Sequence, residues 1–474
     1  MGRVLGTLVF VVSLGAWAQD VDGGVAPLAA AVPQTLGFDV VNTPWGPGRK
    51  SSGELFHSMA LAAPEGPLRF RWQDYSLAVG GQYFARGDLR DSADFNAATD
   101  DHALAFEQRA RLTVRASAKE RVGLLLELQD VRAWGSEPNT VTVTPNTGLH
   151  QGFLDLKATS WLDVRIGRQE LSYGEDRLIG NLDWAMSARA FDGLFVRVTA
   201  SPSVTLDAFG MMLKPPAWLV ADAGGGRFHN SGSYFTGLYA RARFGKAGFD
   251  VYGLGLLEDP GSAALGPGKD SNRLTLGARG FATLGGLAVV GEGAFQTGKV
   301  GAAQDTQLAG AFALKATYTF ASAWGAPYVL GEFSGASGDG TPGDGVEHTF
   351  HQLFPTGHAH LGYMDFVGWQ NVVAARGTIG FRPKGAHVWL DVHHFRAWDP
   401  KGAWYAANGT VFLAADPARV SGNMGTELDL SVTVPVFENV SLAGNVSVFM
   451  PGLEALARGT APSTWGFLSV RSQW

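Results

Sequence analysis

Residues 103–132 read ALAFEQRARLTVRASAKERVGLLLELQDVR. In an extended chain successive side chains point to opposite faces. Glu107, Arg109, Arg111, Thr113 and Arg115 therefore share one face, and Phe106, Ala110, Leu112 and Val114 take the other. After a break near Lys119, Leu124, Leu126 and Leu128 oppose Glu127 and Gln129. Two alternating stretches joined by a tight turn read as a β-hairpin. The same contrast recurs downstream, where Leu162, Val164 and Ile166 oppose Asp163 and Arg165, and Leu428, Leu430 and Val432 oppose Glu427, Asp429 and Ser431. A soluble sandwich hides its apolar faces. Here the charged face is regular across many strands, and no helical pattern remains to cover a sheet. The pattern predicts an all-β, transmembrane, antiparallel up-and-down β-barrel, with the apolar face on lipid and the charged face on a wet lumen.

Working outward, alternation and turn breakers predict about eighteen strands. Their spans are 74–86, 103–118, 121–132, 151–158, 161–168, 189–199, 203–212, 233–244, 247–257, 271–283, 286–297, 305–319, 326–334, 368–381, 385–397, 423–434, 437–449 and 464–474. Short turns near Lys119, Ser160, Pro202, Lys246, Gly285, Pro383 and Glu438 alternate with long loops over 87–102, 133–150, 169–188, 213–232, 335–367 and 398–422. An even strand number puts both chain ends in the periplasm and the long loops outside. The last strand alternates Leu468, Val470 and Trp474 against Ser469, Arg471 and Gln473, and its aromatic end is expected to be read by the barrel insertion machinery.

Composition agrees. The 474 residues contain 64 Gly, 29 Phe and 14 Trp but no Cys. Glycine relieves crowding at barrel bends, and aromatics form interfacial girdles. The net charge of −6 argues against a nucleic-acid partner. Residues 1–18 read as a secretory signal: Arg3, an apolar core from Val4 to Leu14, then Ala16-Trp17-Ala18 before Gln19. Residues 19–67 are rich in Ala, Pro and Gly and are expected to be an irregular periplasmic lead-in to a barrel over 68–474. The chain is expected in an outer membrane.

A barrel of sixteen to eighteen strands is too wide for wall side chains to fill completely, so an aqueous channel remains unless loops plug it. The charged faces assign Arg109, Arg111, Arg115, Lys157, Arg165, Arg197, Arg241, Arg243, Arg273, Arg279, Lys315, Arg376 and Arg471 to the lumen. They also assign Glu107, Glu127, Asp155, Asp163, Asp207, Glu292, Glu332, Asp391, Glu427 and Asp429 to it. Guanidinium forks hold carboxylates bidentately, and interleaved acids stop such a lumen from becoming an anion trap. The alternative for each charge is a cross-strand pair that only stiffens the wall. A one-residue slip would invert a whole strand.

Residues 167–198, GRQELSYGEDRLIGNLDWAMSARAFDGLFVRV, and 350–371, FHQLFPTGHAHLGYMDFVGWQN, resemble two sequence blocks of the alginate-export family of outer-membrane porins. Residues 425–430 (GTELDL) and 449–452 (FMPG) are similar to that family's closing strands. The resemblance implies an eighteen-stranded monomeric barrel that passes an anionic polysaccharide such as alginate through an Arg/Lys-lined constriction gated by loops. Within it, Arg165, Arg168 and the Arg109/Arg111/Arg115 ladder are expected to line the constriction, and periplasmic export partners are implied. Arg168, Glu170, Asp176 and Arg177 have the alternative of bracing the outer loop.

Other signals are weaker. Asp339, Asp344 and Glu347 offer oxygen ligands for Ca²⁺ in an Asp/Gly-rich loop, without the spacing of a known calcium site. No cofactor is expected. No H-E-x-x-H, P-loop or G-x-S-x-G occurs, so the chain is not expected to be an enzyme. The leading expectation is a channel for an anionic solute, foremost a polyanionic exopolysaccharide. A porin taking up small anionic nutrients is the alternative, and a barrel enzyme or adhesin is a third class.

Overall fold

The computed structural model describes residues 68–474, apart from 100, 120, 138–145, 215–231, 259–270, 302, 321–322, 384–385, 438 and 454–457. The expected signal (1–18), the lead-in (19–67) and the turn at Glu438 lie outside the described residues.

In chain order the strands are β1 (Leu68–Trp72), β2 (Tyr75–Asp91), β3 (Ala103–Ala118), β4 (Val122–Ala133), β5 (Thr147–Lys157), β6 (Leu162–Gln169), β7 (Phe191–Ser201), β8 (Val204–Lys214), β9 (Ser233–Phe244), β10 (Ala247–Glu258) and β11 (Ser271–Leu284). They continue with β12 (Leu287–Val300), β13 (Asp305–Thr319), β14 (Tyr328–Ala336), β15 (Val346–Glu347), β16 (Val372–Phe381), β17 (His387–Arg396), β18 (Trp404–Tyr405), β19 (Val411–Leu413), β20 (Asn423–Phe437), β21 (Val440–Pro451) and β22 (Ser463–Gln473). Eighteen of these are staves of one closed antiparallel barrel. Each stave pairs with its sequence neighbours, and β2 closes on β22 from Gln82↔Gln473 to Asp91↔Thr464. Closure gives each stave a hydrogen-bonded neighbour on both sides, so the backbone groups of the wall find their partners on adjacent strands rather than in water.

The additions to the expected strands are short. β1 folds back on β2 (Leu68↔Val79 to Trp72↔Tyr75) and covers the stretch of β2 that β22 does not reach. β15 lies parallel to β13, and β18 pairs with β19 inside one long loop. Each is too brief for alternation to register.

The two faces separate as expected. Leu112, Leu126, Ile166, Leu194, Leu238, Leu276, Leu314, Ile379 and Leu430 are exposed on the outside. Near the short-turn rim Trp72, Tyr75, Trp161, Phe244, Phe249, Trp324 and Trp474 form an exposed aromatic girdle. Toward the other rim Phe106 stacks on Trp134, with ring centroids 5.6 Å apart. Such belts mark the interfaces of a lipid-embedded barrel.

Gly167, at the end of β6, has φ +128°, and a Cβ there would stand 2.2 Å from the Gly152 carbonyl oxygen on β5. Gly167→Ala is therefore expected to destabilise the barrel by about 1–3 kcal/mol. Urea titration of vesicle-inserted protein, followed by the mobility shift of folded barrels on gels, would measure it.

Candidate functional site

Two long loops turn into the barrel and pack against its inner wall. Segment 170–190 connects β6 to β7, and segment 337–371 connects β14 to β16. Their backbones zip together. The Gly180 N–H donates to Phe354 O (2.8 Å), the Phe354 N–H to Leu178 O (2.9 Å) and the Thr356 N–H to Asp176 O (2.8 Å). At the contact a Cβ on Gly180 would meet Thr356 Oγ1 at 2.2 Å, so the close approach requires glycine. Arg189 fastens the zipper: its Nη1 donates to Gly180 O (2.9 Å), Pro355 O (3.1 Å) and Phe354 O. Burial pulls the Arg189 guanidinium down to about 10, so it stays charged at neutral pH.

Beneath the zipper the lumen is a hydrophobic core rather than water. Leu171, Tyr173, Ile179, Phe350, Phe354, Phe366 and Trp369 of the loops are buried in one cluster. The cluster includes Phe195, Phe209, Phe235, Tyr239, Tyr252, Phe395 and Phe449 of the wall. Trp404, from the loop after β17, donates its Nε1–H to Phe366 O at 2.8 Å. Of the two expected cases, an aqueous channel or a barrel plugged by loops, this is the second, with aromatics beside the expected charges. The inward parity carries aromatics as well as charges, and the loops supply the apolar partner those aromatics need.

The charges form a belt of pairs around the wall. Arg165 is 2.6 Å from Asp155, Arg197 2.7 Å and Arg241 3.0 Å from Asp207, Arg243 2.5 Å and Arg279 3.2 Å from Asp250, and Arg376 2.9 Å from Asp391. Tyr173, Tyr239 and Tyr252 donate their hydroxyls to Asp207, Asp250 and Glu292. Loop groups complete the belt: Glu175 pairs with Lys315, and Arg177 reaches Glu332 at 2.6 Å. His360 Nε2–H donates to Glu175 O (2.6 Å), Arg376 Nη1 donates to Ala359 O (3.0 Å), and the Met364 N–H donates to Glu427 Oε1 (2.8 Å). Burial pushes the Glu175 carboxyl up, but Lys315 and Arg177 beside it prevail and bring it to about 2. Burial and the neighbouring Arg177 guanidinium hold the His360 imidazole at about 3.

One wall of the belt grips the tip of the first loop. Asp183 Oδ1 accepts from Arg109 Nη2 (2.9 Å) and Arg111 Nη1 (3.3 Å), and Oδ2 accepts from Arg471 Nη1 (2.9 Å). Arg109 Nη1 also donates to Ala185 O (3.1 Å) and Met186 O (3.2 Å). The Arg86 guanidinium lies 4.3 Å over the Trp184 ring and donates to Trp184 O.

The structure places the other expected residues as follows. Arg115 is half-buried on the inward face of β3, and Lys157 stands opposite Asp163 in the β5–β6 register. Glu107 pairs with Arg86 at 2.9 Å, and Glu127 accepts from Thr113 at 2.8 Å. Asp163 is buried and faces Arg197 across β6–β7. Arg168 is a correction. It sits three residues from Arg165, hence on the opposite face, partly exposed and paired with Asp192 at 2.6 Å. It braces the rim and does not line the lumen. His150 falls in the expected loop 133–150 but belongs to β5, where a bulge opposite Glu127/Leu128 turns it inward, and alternation carries no signal of a bulge. Asp183, Glu175 and Arg189 lie in a loop whose docking no period announces.

Among the described residues one group of possible metal ligands converges, Glu127, His150 and Glu170. Its charges already have a partner: Arg111 lies 3.7 Å from Glu127 and 3.8 Å from Glu170, and His150 Nε2 is 2.9 Å from Glu170. The group is an ion-pair network. The calcium candidates do not converge in this way. Asp339 and Asp344 accept from the N–H groups of Thr341 and Val346, and Glu347 from that of Thr349.

The Alginate export family model matches residues 75–465. Several solved structures share the fold. The outer membrane protein OprD from Pseudomonas aeruginosa aligns with TM-score 0.54 at 11% identity, covering 88% of this chain and 96% of that one. Pseudomonas aeruginosa OpdK, determined with vanillate, aligns at TM-score 0.53 and 12% identity, over 84% and 98%. Acinetobacter baumannii OccAB4 gives 0.51 and 12%, over 84% and 98%. No curated protein matches the sequence.

Proposed function

From the premise that the chain belongs to the alginate export family, and so is an outer-membrane channel protein, we propose that it is a loop-gated passage for carboxylate-bearing solutes, foremost a polyuronate such as alginate. The observation that carries this reading is the way the lumen is closed. The plug is two loops docked by hydrogen bonds and packing, and the wall behind their polar side is a column of arginines. Arg109 and Arg111 lie two residues apart on the inward face of β3, about 7 Å, and Arg115 follows on the same face after Thr113, about 14 Å beyond Arg111. With the plug displaced, the column gives an anionic chain successive replaceable forks, strong enough to admit it and weak enough to release it. The belt acids, Asp155, Asp163, Asp207 and Asp391 among them, keep the remaining cations from trapping it. Export under an N-terminal signal over 1–18 belongs to the same proposal.

The near-neutral belt favours a second reading, uptake of small organic acids, since a neutral wall passes a single small anion without holding it. Planar-bilayer recording separates the two. Anion-selective openings blocked by oligouronates support polyuronate passage. Openings blocked by small acids but indifferent to oligouronates support uptake, and absence of any opening removes both. In an Arg109/Arg111/Arg115→Ala variant, openings should become more frequent, because the plug loses its anchors, while oligouronate block weakens.

A further inference from the structure

Asp183 is a loop carboxylate gripped by arginines from two strands, Arg109 and Arg111 of β3 and Arg471 of β22. All three guanidiniums are nearly or fully buried, and both carboxylate oxygens are engaged. Gln82 fixes the geometry: its Oε1 accepts from Arg109 Nη2 (2.7 Å) and Nε (3.1 Å). Converging, preoriented guanidiniums make a receptor for a carboxylate as such, whatever molecule carries it. Around it the wall also binds neutral oxygens, the Ala185 and Met186 carbonyls on Arg109 and the Ser187 carbonyl on Gln129 Nε2 (2.9 Å). A uronate unit presents the same pair of features, a carboxylate with neutral oxygens beside it that accept hydrogen bonds.

We propose that Asp183 is a tethered internal competitor at the site formed by Arg109, Arg111 and Arg471, a carboxylate that a uronate unit's own must displace for the first loop to leave. This rests on the channel reading and specifies where the solute acts on the gate. A tethered carboxylate competes at an effective concentration on the order of millimolar or more. A single uronate is thereby a poor opener. A polymer presenting many carboxylates to the same column rebinds from neighbouring units and displaces the loop at far lower chain concentration. The gate would then respond to the polymer and ignore its monomer, a selectivity that an untethered arginine patch does not have.

The test is calorimetric titration of galacturonate into the full chain refolded in detergent, at neutral pH, with galactose as the uncharged probe. Removing the internal competitor by Asp183→Asn should tighten galacturonate binding at least about tenfold, because the competent site is then populated without loop displacement. Asp183→Ser should do the same. Arg471→Gln in the Asp183→Asn background should abolish the gain, and galactose should bind none of the variants. If both Asp183 variants retain the gel mobility of a folded barrel and bind galacturonate no more tightly than the parent, Asp183 is a brace and the proposal falls. Bilayer recording on the same samples keeps the two readings apart. A barrel that conducts without tightening loses the site and keeps the channel, whereas tightening in a barrel that never conducts keeps the site and removes the channel.

Discussion

Arg189→Met should turn a closed barrel into an open one. Arg189 lies in the first loop, two residues before β7, and its guanidinium donates to three carbonyls, one in its own loop and two in the second. Methionine keeps much of the stem's packing against Phe354, over whose ring the guanidinium sits at 5.7 Å. It removes the charge and all three hydrogen bonds, and only the Phe354 carbonyl keeps a partner, the Gly180 N–H. A hydrogen bond to a charged group contributes about 1.5–3 kcal/mol, so losing three costs the docked state several kcal/mol. About 5.5 kcal/mol moves a two-state equilibrium from 1:99 to 99:1. Single-channel recording should therefore show sustained openings in Arg189→Met and rare ones in the parent. Arg168→Met is the control, since Arg168 pairs with Asp192 on the outward face and touches no part of the plug. Equal open probability in Arg189→Met and the parent would show that the zipper does not hold the gate.

Acidification should open the same gate, with a sign fixed by two loop groups. His360 is neutral in the docked plug down to about pH 3, held there by burial, with Arg177 and Lys315 adding to it and Glu332 and Glu175 opposing. Once released into water the imidazole titrates near 6.5. Between pH 6.5 and 3 the released loop binds a proton that the docked loop does not, so docking weakens as pH falls, by at most about 1.4 kcal/mol per pH unit. Glu175 acts in the same direction at lower pH. Its carboxyl is at about 2 when docked against Lys315 and Arg177 and returns to 4.5 when released. The stabilisation it gives docking is complete above 4.5 and is lost as pH falls toward 2. Open probability should rise from pH 6.5 downward, and His360→Gln should flatten the part between 6.5 and 4.5 and reduce, without removing, the rise below 4.5, where Glu175 also acts. A pH response unchanged in His360→Gln would assign the effect to other groups.

The alternation of residues 103–132 already contained the barrel. A strand between lipid and a polar interior must show period two, and that pattern is local, so it can be read residue by residue. The spans 103–118, 233–244 and 305–319 coincide with β3, β9 and β13. The strand number, the alternation of short and long connections and the side to which Arg109, Arg165, Arg197 and Asp391 point follow from the same rule. Applied strictly, it also excludes Arg168, three residues from Arg165. His150 escaped it because a bulge resets the phase.

What only the tertiary structure decided is that the barrel is closed and by what. The blocks at 167–198 and 350–371 stand far apart in the chain, yet they meet as the two halves of one plug, through backbone bonds between Asp176–Gly180 and Phe354–Thr356. Backbone pairing of this kind leaves no side-chain period. The lumen, lined by the expected charges, is half an aromatic core because Phe195, Phe209 and Tyr239 share the inward parity, and only the loops' arrival makes that face dry. The partner of the arginine column is Asp183, one carboxylate in a loop without regular structure. Sequence determines which face a strand presents, because neighbouring peptide units fix it. What occupies the space enclosed by eighteen such faces depends on contacts between residues as distant in the chain as Asp183 and Arg471, and that is settled only when the barrel closes.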